Sequence, residues 1–304
     1  MSKRPSFNEL MQARFAAGFF ACVGLDSDDE QIPPHGHRTT STRIIRFNRA
    51  IIDATAQYAG FFKPNVAFYE AHGSDGLRAL GETIEFAHTV APEVPVILDA
   101  KRADIGNTNN GYVKMLNGLD ADAITVNPYF GEKAMEPFLA CKNKGIIVLA
   151  RTSNPGAGEF QDLPIPLSTE QRLPQIEEWL GREIPERQIP FYLYVAFRVA
   201  AHWNKNGNCA VVAGATYPEQ LGMVREMVRD MPILIPGIGK QGGDLAKAVR
   251  YGRNSHGKGF IINLSSGIIF ASKGTDFAEA AAREAKMLHD SIIAVCAELA
   301  QEKG

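Results

Sequence analysis

Cysteine is scarce in this chain, with four residues (Cys22, Cys141, Cys209 and Cys296) in 304 positions. They are far apart and none is spaced as CxxC, so neither a zinc site nor a disulfide framework is expected. Cys22, Cys209 and Cys296 have apolar neighbours in sequence and are expected as buried thiols. Histidine is also thin: seven residues are scattered along the chain, and only His256 falls next to an expected strand. A histidine-built metal centre or a Ser–His–Asp triad therefore has little footing, and no metal is expected. Net charge is small, −2 from 32 basic and 34 acidic residues. Without a basic stripe, nucleic acid and anionic membrane surfaces are not expected partners. No apolar run approaches the roughly 20 residues that cross a bilayer. The opening MSKRPSFNELMQARFAAGFF lacks the apolar stretch and cleavage site of a secretion signal. A cytoplasmic protein is expected. Neither GxxxxGK[ST] nor a strand-borne GxGxxG occurs, so triphosphates and dinucleotides are not suggested.

What the sequence does have is a rhythm. Eight short apolar runs recur: 19–25, 60–63, 94–98, 123–126, 145–150, 209–213, 233–235 and 260–264. Most are continuous rather than alternating, as in strands covered on both faces. Between them lie segments of helical spacing. STRIIRFNRAIIDATAQY gathers Ile44, Ile45, Phe47, Ile51 and Ile52 on one side. DGLRALGETIEFAHTVA, TYPEQLGMVREMVRD, GGDLAKAVRYG and the long closing DFAEAAAREAKMLHDSIIAVCAELA complete the set. Eight strands alternating with helices predict an α/β fold, a (β/α)8 TIM barrel in a single domain covering 1–304. One connection is irregular. Residues 152–190, after the fifth strand, are too rich in Pro and Gly for one helix and too long for an ordinary loop, which suggests a lid-like insertion.

The C-terminal strand ends of such a barrel carry its chemistry. Here the first ends in Asp26, the second in Lys63, and the third delivers Asp99 and Lys101 from VPVILDAKRADIGNT. Asp99 and Lys101 are two apart and are expected on one face of a strand. With Lys63 and Asp26 from neighbouring strands they predict a closed array of alternating charge, the form in which buried ions neutralise one another. A plain ion-pair network closing the barrel end is the alternative. Asp104 reads either as a helix N-cap or first-turn acid or as part of a pocket, including one in a partner subunit. IPGIGKQGGD (235–244, with Gly239 and Lys240) is glycine-rich between a strand and a helix, a natural phosphate cradle or else a bare tight turn. NLSSG supplies the Ser265 and Ser266 hydroxyls from the eighth strand.

LDAKRADIGNT carries the DxKxxD signature and resembles the orotidine 5′-phosphate decarboxylase family. FACVGLD, FFKPNVAFYE, ADAITVNPYFG, RTSNPG and PGIGKQGGD extend the resemblance in order over nearly the whole chain, and it is nearest the longer bacterial type. The resemblance implies cofactor-free decarboxylation of orotidine 5′-monophosphate to uridine 5′-monophosphate, in de novo pyrimidine biosynthesis. It implies Lys101 as the acid that protonates C6, Asp99 beside the substrate carboxylate, Lys63 bridging the aspartates and touching the ribose, and Asp26 on a ribose hydroxyl. Ser153 is implied at the pyrimidine edge, and Gln241 between phosphate and pyrimidine. A homodimer is implied, with Asp104 and Thr108 reaching the neighbouring subunit's site. One departure stands out: Ser266 occupies the place where the family usually has a phosphate-pairing Arg. Lys240 is the candidate replacement, ahead of Arg253 and Lys258. Sister barrels sharing DxKxxD predict instead a metal-assisted sugar-phosphate enzyme, which needs an acid near the second strand, where only Glu70 is available. A catalytically dead nucleotide-binding barrel is the remaining rival.

Overall fold

The structure is a computed structural model and describes residues 4–33, 39–167, 172–239 and 242–302. Eight strands form one sheet: β1 (Ala21–Leu25), β2 (Phe61–Pro64), β3 (Ile97–Arg102), β4 (Ala123–Val126), β5 (Gly145–Arg151), β6 (Cys209–Ala213), β7 (Ile233–Ile235) and β8 (Phe260–Leu264). The order is β2–β1–β8–β7–β6–β5–β4–β3, and each ladder is parallel. β2 and β3 meet through two isolated parallel bridges, Phe62 with Val96 and Asn65 with Asp99, which close the sheet into a (β/α)8 barrel. β1, β2, β4 and β6 are buried at every position, the reason their sequences run apolar without alternation.

The third strand differs from the sequence expectation. The regular strand starts at Ile97, not Val94, and continues through the charged residues to Arg102. Pro95 has no N–H to give a ladder, although its carbonyl accepts from Phe62 N–H at 3.1 Å. Further along, the β3–β4 register slips between Leu98 and Arg102, so the charged stretch is a bulge rather than a plain strand end.

Helices Thr40–Thr55, Gly73–Val90, Pro218–Val228, Leu245–Gly252 and Phe277–Gln301 lie where the apolar spacing places them. Thr39 caps the first of these, its hydroxyl accepting from Thr42 N–H at 3.3 Å. Leu77 and Met223 point outward despite their hydrophobicity. The N-terminal helix Phe7–Ala16 opens with a Ser6/Glu9 capping box and packs at the N-terminal end of the barrel. There Phe7 N–H donates to Asn143 O at 2.9 Å. The Phe7 ring lies 2.3 Å from where a Cβ on Gly145 would sit, so only glycine fits there. Cys22 and Cys209 are buried thiols; Cys296 is only half-buried, because its helix lies on the outer layer.

The 152–190 segment contains the short helices Gly158–Gln161 and Arg172–Leu180 and an antiparallel hairpin, Pro164–Pro166 with Gln188–Pro190. Helix Phe191–Arg198, continued by a π-helical turn Val199–Trp203, then leads to β6.

Candidate active site

Lys63 is the centre of the site. In register it lies opposite Gly24 of β1, and the two bridges to β3 set it opposite Ile97. Asp26 and Asp99 each come two residues further along the flanking strands. The lysine stem therefore climbs toward two carboxylates above it. Its Nζ is 2.9 Å from Asp99 Oδ2 and 3.7 Å from Asp26 Oδ1. Asp99 Oδ1 in turn receives Lys101 Nζ at 2.6 Å. The result is an open chain, Asp26–Lys63–Asp99–Lys101, rather than a closed ring. Lys63 and Asp99 are 4% and 8% exposed. The Lys101 side chain is 47% exposed, so the chain runs from the buried interior out to solvent.

Simple alternation does not bring Asp99 and Lys101 together. Lys101 has φ 47°, the left-handed region that few non-glycine residues occupy. Such a conformation costs on the order of 1–3 kcal/mol and persists when the surroundings over-determine it. Thr125 supplies that constraint. Its hydroxyl accepts from Lys101 N–H at 2.9 Å and donates to Asp99 Oδ1 at 2.8 Å. One hydroxyl thus ties the bulged backbone to the carboxylate. Behind Asp26 a buried polar network holds the end of β1. Ser27 donates to Asn48, Asn48 donates to Tyr69 and Thr83, and Tyr69 donates to Leu25 O at 3.0 Å.

Electrostatics fix the protonation states. Burial alone would raise the Asp99 carboxyl; Lys63 and then Lys101 outweigh it and hold it well below the usual carboxylate range. Burial likewise works against a charged Lys63, but Asp99 and Asp26 keep its ammonium protonated beyond the ordinary lysine range. Asp99's lowered pKa contributes stability that is whole above about pH 4 and is lost as pH falls through the folded value. Lys63's raised pKa contributes stability that is whole below about pH 10 and is lost as pH rises. Between those limits the pair stays ionised. Lys63→Met removes the cation that opposes burial most strongly at Asp99. The variant is expected to lose about 3–5 kcal/mol of stability. Its kcat/KM should also gain an acid limb at higher pH than the parent's, as the Asp99 carboxyl rises. Denaturant melts and a pH–rate profile check both parts; a profile that coincides with the parent's would refute this electrostatic coupling.

A cavity of about 720 Å3 opens at this end of the barrel, lined by Asp26, Lys63, Asp99 and Lys101, by Ser153, and by Gly239, Ser265 and Ser266. Thus all eight of those predicted residues share one space. Two close approaches shape it. A Cβ on Gly24 would lie 1.9 Å from Ser265 Oγ, and one on Gly214 would lie 2.7 Å from Ser153 Cα. Lys240 and Gln241 lie outside the described residues. Arg253 and Lys258 precede β8, at the opposite end of the barrel, and do not line the cavity. Among the described residues, Lys63 and Lys101 are its cations, and Glu284 of the C-terminal helix also lines it.

Asp104 and Thr108 are not in their own chain's cavity. Ile105, not Asp104, takes the N-cap position of helix Gly106–Gly118, and the Asp104 carboxylate accepts from Ile105 N–H at 2.6 Å. Thr108 is exposed on the first turn. Glu70, the acid a metal-assisted rival would need, pairs with Arg102 and does not line the cavity. Among the described residues no cluster of three His, Cys, Asp or Glu side chains could hold a metal. No described helix is long and apolar enough to cross a membrane.

Sequence reasoning gave no role to Thr125, Thr152, Asn154 or Asn263, all of which line the cavity. Thr125 had a signal, a lone hydroxyl in the aliphatic run AITV. Asn263 had a similar one, an amide inside FIINL, and it is buried with its Oδ1 unpartnered.

Comparison with known proteins identifies the family. Residues 21–178 match the model of the orotidine 5′-phosphate decarboxylase / HUMPS family. An orotidine 5′-phosphate decarboxylase of Thermomicrobium roseum is 40% identical over 301 residues, 98% of this chain and 99% of that protein. One from Bordetella petrii is 42% identical over 291 residues, 94% and 98% of the two chains. Among solved structures, Leishmania donovani OMP decarboxylase superposes with a TM-score of 0.75 at 33% identity, covering 96% of this chain and 98% of that one. Leishmania donovani UMP synthase gives 0.77 at 34% identity, covering 96% of this chain and 57% of the other. On these matches, the chain belongs to the orotidine 5′-phosphate decarboxylase family.

Proposed function

We propose that the chain converts orotidine 5′-monophosphate to uridine 5′-monophosphate and carbon dioxide as a step of pyrimidine biosynthesis, without a cofactor. The observation that carries this is the Asp26–Lys63–Asp99–Lys101 chain along one cavity wall. Breaking the bond between C6 and its carboxylate leaves the electron pair on C6. The Lys101 ammonium stabilises that developing charge and delivers a proton to C6 as carbon dioxide departs. Solvent then reprotonates Lys101, whose side chain is half-exposed. Asp99 beside a carboxylate opposes ground-state binding, but that repulsion vanishes when the charge leaves as neutral gas. The array is therefore complementary to the transition state rather than to the substrate. Asp99 and Asp26 keep Lys63 charged, and Lys63 and Asp26 meet the ribose hydroxyls.

The phosphate sits at the Gly239, Ser265 and Ser266 end, held by backbone N–H groups and hydroxyls, with Lys240 and Gln241 as its further contacts. Its remote binding energy steadies the ring against the charges, and the 152–190 insertion acts as the lid. The working unit is a homodimer in which Asp104 and Thr108 complete the partner's site. Ile105, Tyr129 and Phe130 support this: at 62%, 81% and 50% exposed, these large apolar side chains lie on the loops after β3 and β4, Ile105 next to Asp104 in sequence. Four free thiols suit a reducing cytoplasm.

Ultraviolet absorbance of orotidine 5′-monophosphate with purified protein tests the reading. The substrate band should fall at the same rate with and without EDTA. A band that persists refutes the decarboxylase reading, and a rate abolished by EDTA refutes the cofactor-free one.

A further inference from the structure

Gln161 fastens the stem of the insertion directly to the cavity edge. Gln161, the last residue of helix Gly158–Gln161, accepts from Thr152 N–H through Oε1 at 2.9 Å. Its Nε2 donates to the Thr152 hydroxyl, also at 2.9 Å. That hydroxyl passes its own proton to Asn154 Oδ1 at 2.7 Å. Thr152, Ser153 and Asn154 all line the cavity, whereas Gln161 does not. One amide therefore holds the backbone and the side chain of the residue before Ser153, and through it the residue after. The neighbouring Asp162 binds Arg151 Nε at 3.0 Å, and Arg151 donates to Thr152 O at 2.9 Å. From behind, Gly214 leaves Ser153 no slack.

We infer that Gln161 is a positioning residue for decarboxylation. It holds the Thr152–Asn154 edge so that Ser153 meets the pyrimidine in a single geometry, and it links the stem of the insertion to that contact. This rests on the reading of Ser153 as a pyrimidine contact. Misplacing a substrate-facing group by about 1 Å can cost on the order of 10²-fold in rate. Without the glutamine amide, Thr152 N–H loses its partner and the Thr152 hydroxyl keeps only its bond to Asn154.

The test is a double-mutant cycle on kcat and KM for orotidine 5′-monophosphate, using Ser153→Ala, Gln161→Ala and the pair, with melting curves alongside. Gln161→Ala is expected to lower kcat/KM about 10-fold or more, and the pair to fall within about 2-fold of Ser153→Ala alone. Gln161→Glu keeps the acceptor for Thr152 N–H and loses the donor to the hydroxyl. It should recover at least about 3-fold over the alanine variant, and it carries the test if Gln161→Ala does not fold. Losses that multiply in the pair, or a Gln161→Ala enzyme with a lowered melting point and parental kcat/KM, overturn the positioning role while leaving Ser153 in place. Parental kcat/KM in Ser153→Ala removes the Ser153 contact, and the proposal falls with it.

Discussion

Replacing Lys101 with alanine is expected to lower kcat/KM by at least about 10⁴-fold, on the order of 5.5 kcal/mol of barrier. Two contributions vanish together. A positioned general acid is worth about 10²–10⁴, and a preorganised charge at the developing anion about 10²–10³. No other described cation can take over. Lys63 is buried between Asp26 and Asp99, one pleat below, and the remaining described basic side chains lie off the cavity. The fold should survive, because the Lys101 side chain is half-exposed and Lys63 still compensates the buried Asp99 carboxylate. Loss of the substrate absorbance band under saturating enzyme gives the rate, and a melting curve shows that the barrel is intact. Turnover above about 1% of the parent would assign the proton to another group.

The second large effect is complementation between two dead enzymes. Lys101→Ala and Asp104→Ala homodimers are each expected to be nearly inactive. Mixed under conditions that exchange subunits, they should recover about a quarter of parental activity. In a hybrid dimer one site collects both substitutions and the other collects neither. Half the dimers are hybrids, and half of their sites are whole. The expectation follows from Asp104, which lies outside its own cavity and next in sequence to the exposed apolar Ile105. Hybrids demonstrated by mass but without activity would show that each subunit works alone.

The barrel could be read in the sequence because most strand positions are buried on both faces and so write themselves as apolar runs. Helices between the strands were less legible, for different reasons. Gly106–Gly118 buries only Asn109 and Leu116 and carries two glycines and three asparagines in its first six residues, so it has almost no apolar stripe. Phe191–Arg198 has the opposite problem: nearly every side chain is apolar, and no periodicity survives. Gly131–Leu139 is interrupted by Pro137. Within the site, the four charges were visible because charged residues at the ends of apolar strands are costly and conspicuous. The conformation that joins two of them was not. A left-handed lysine leaves no compositional mark, and it depends on a hydroxyl 24 residues away on the next strand. The insertion announced itself by length and proline content, but its fastening is a tertiary fact, set by a glutamine nine residues from the threonine it holds.

The barrel has one weakly laced joint. Every other pair of neighbouring strands shares a ladder, while β2 and β3 share two bridges, and Lys63 and Asp99 stand on either side of that gap. The ion pair between them is therefore a clasp as well as part of the proposed reactive array. Closing the cylinder and arming the site become a single event, so a molecule caught with this joint ajar would keep its secondary structure and still have no working centre. Selection for turnover and selection for a closed barrel then act on the same two side chains.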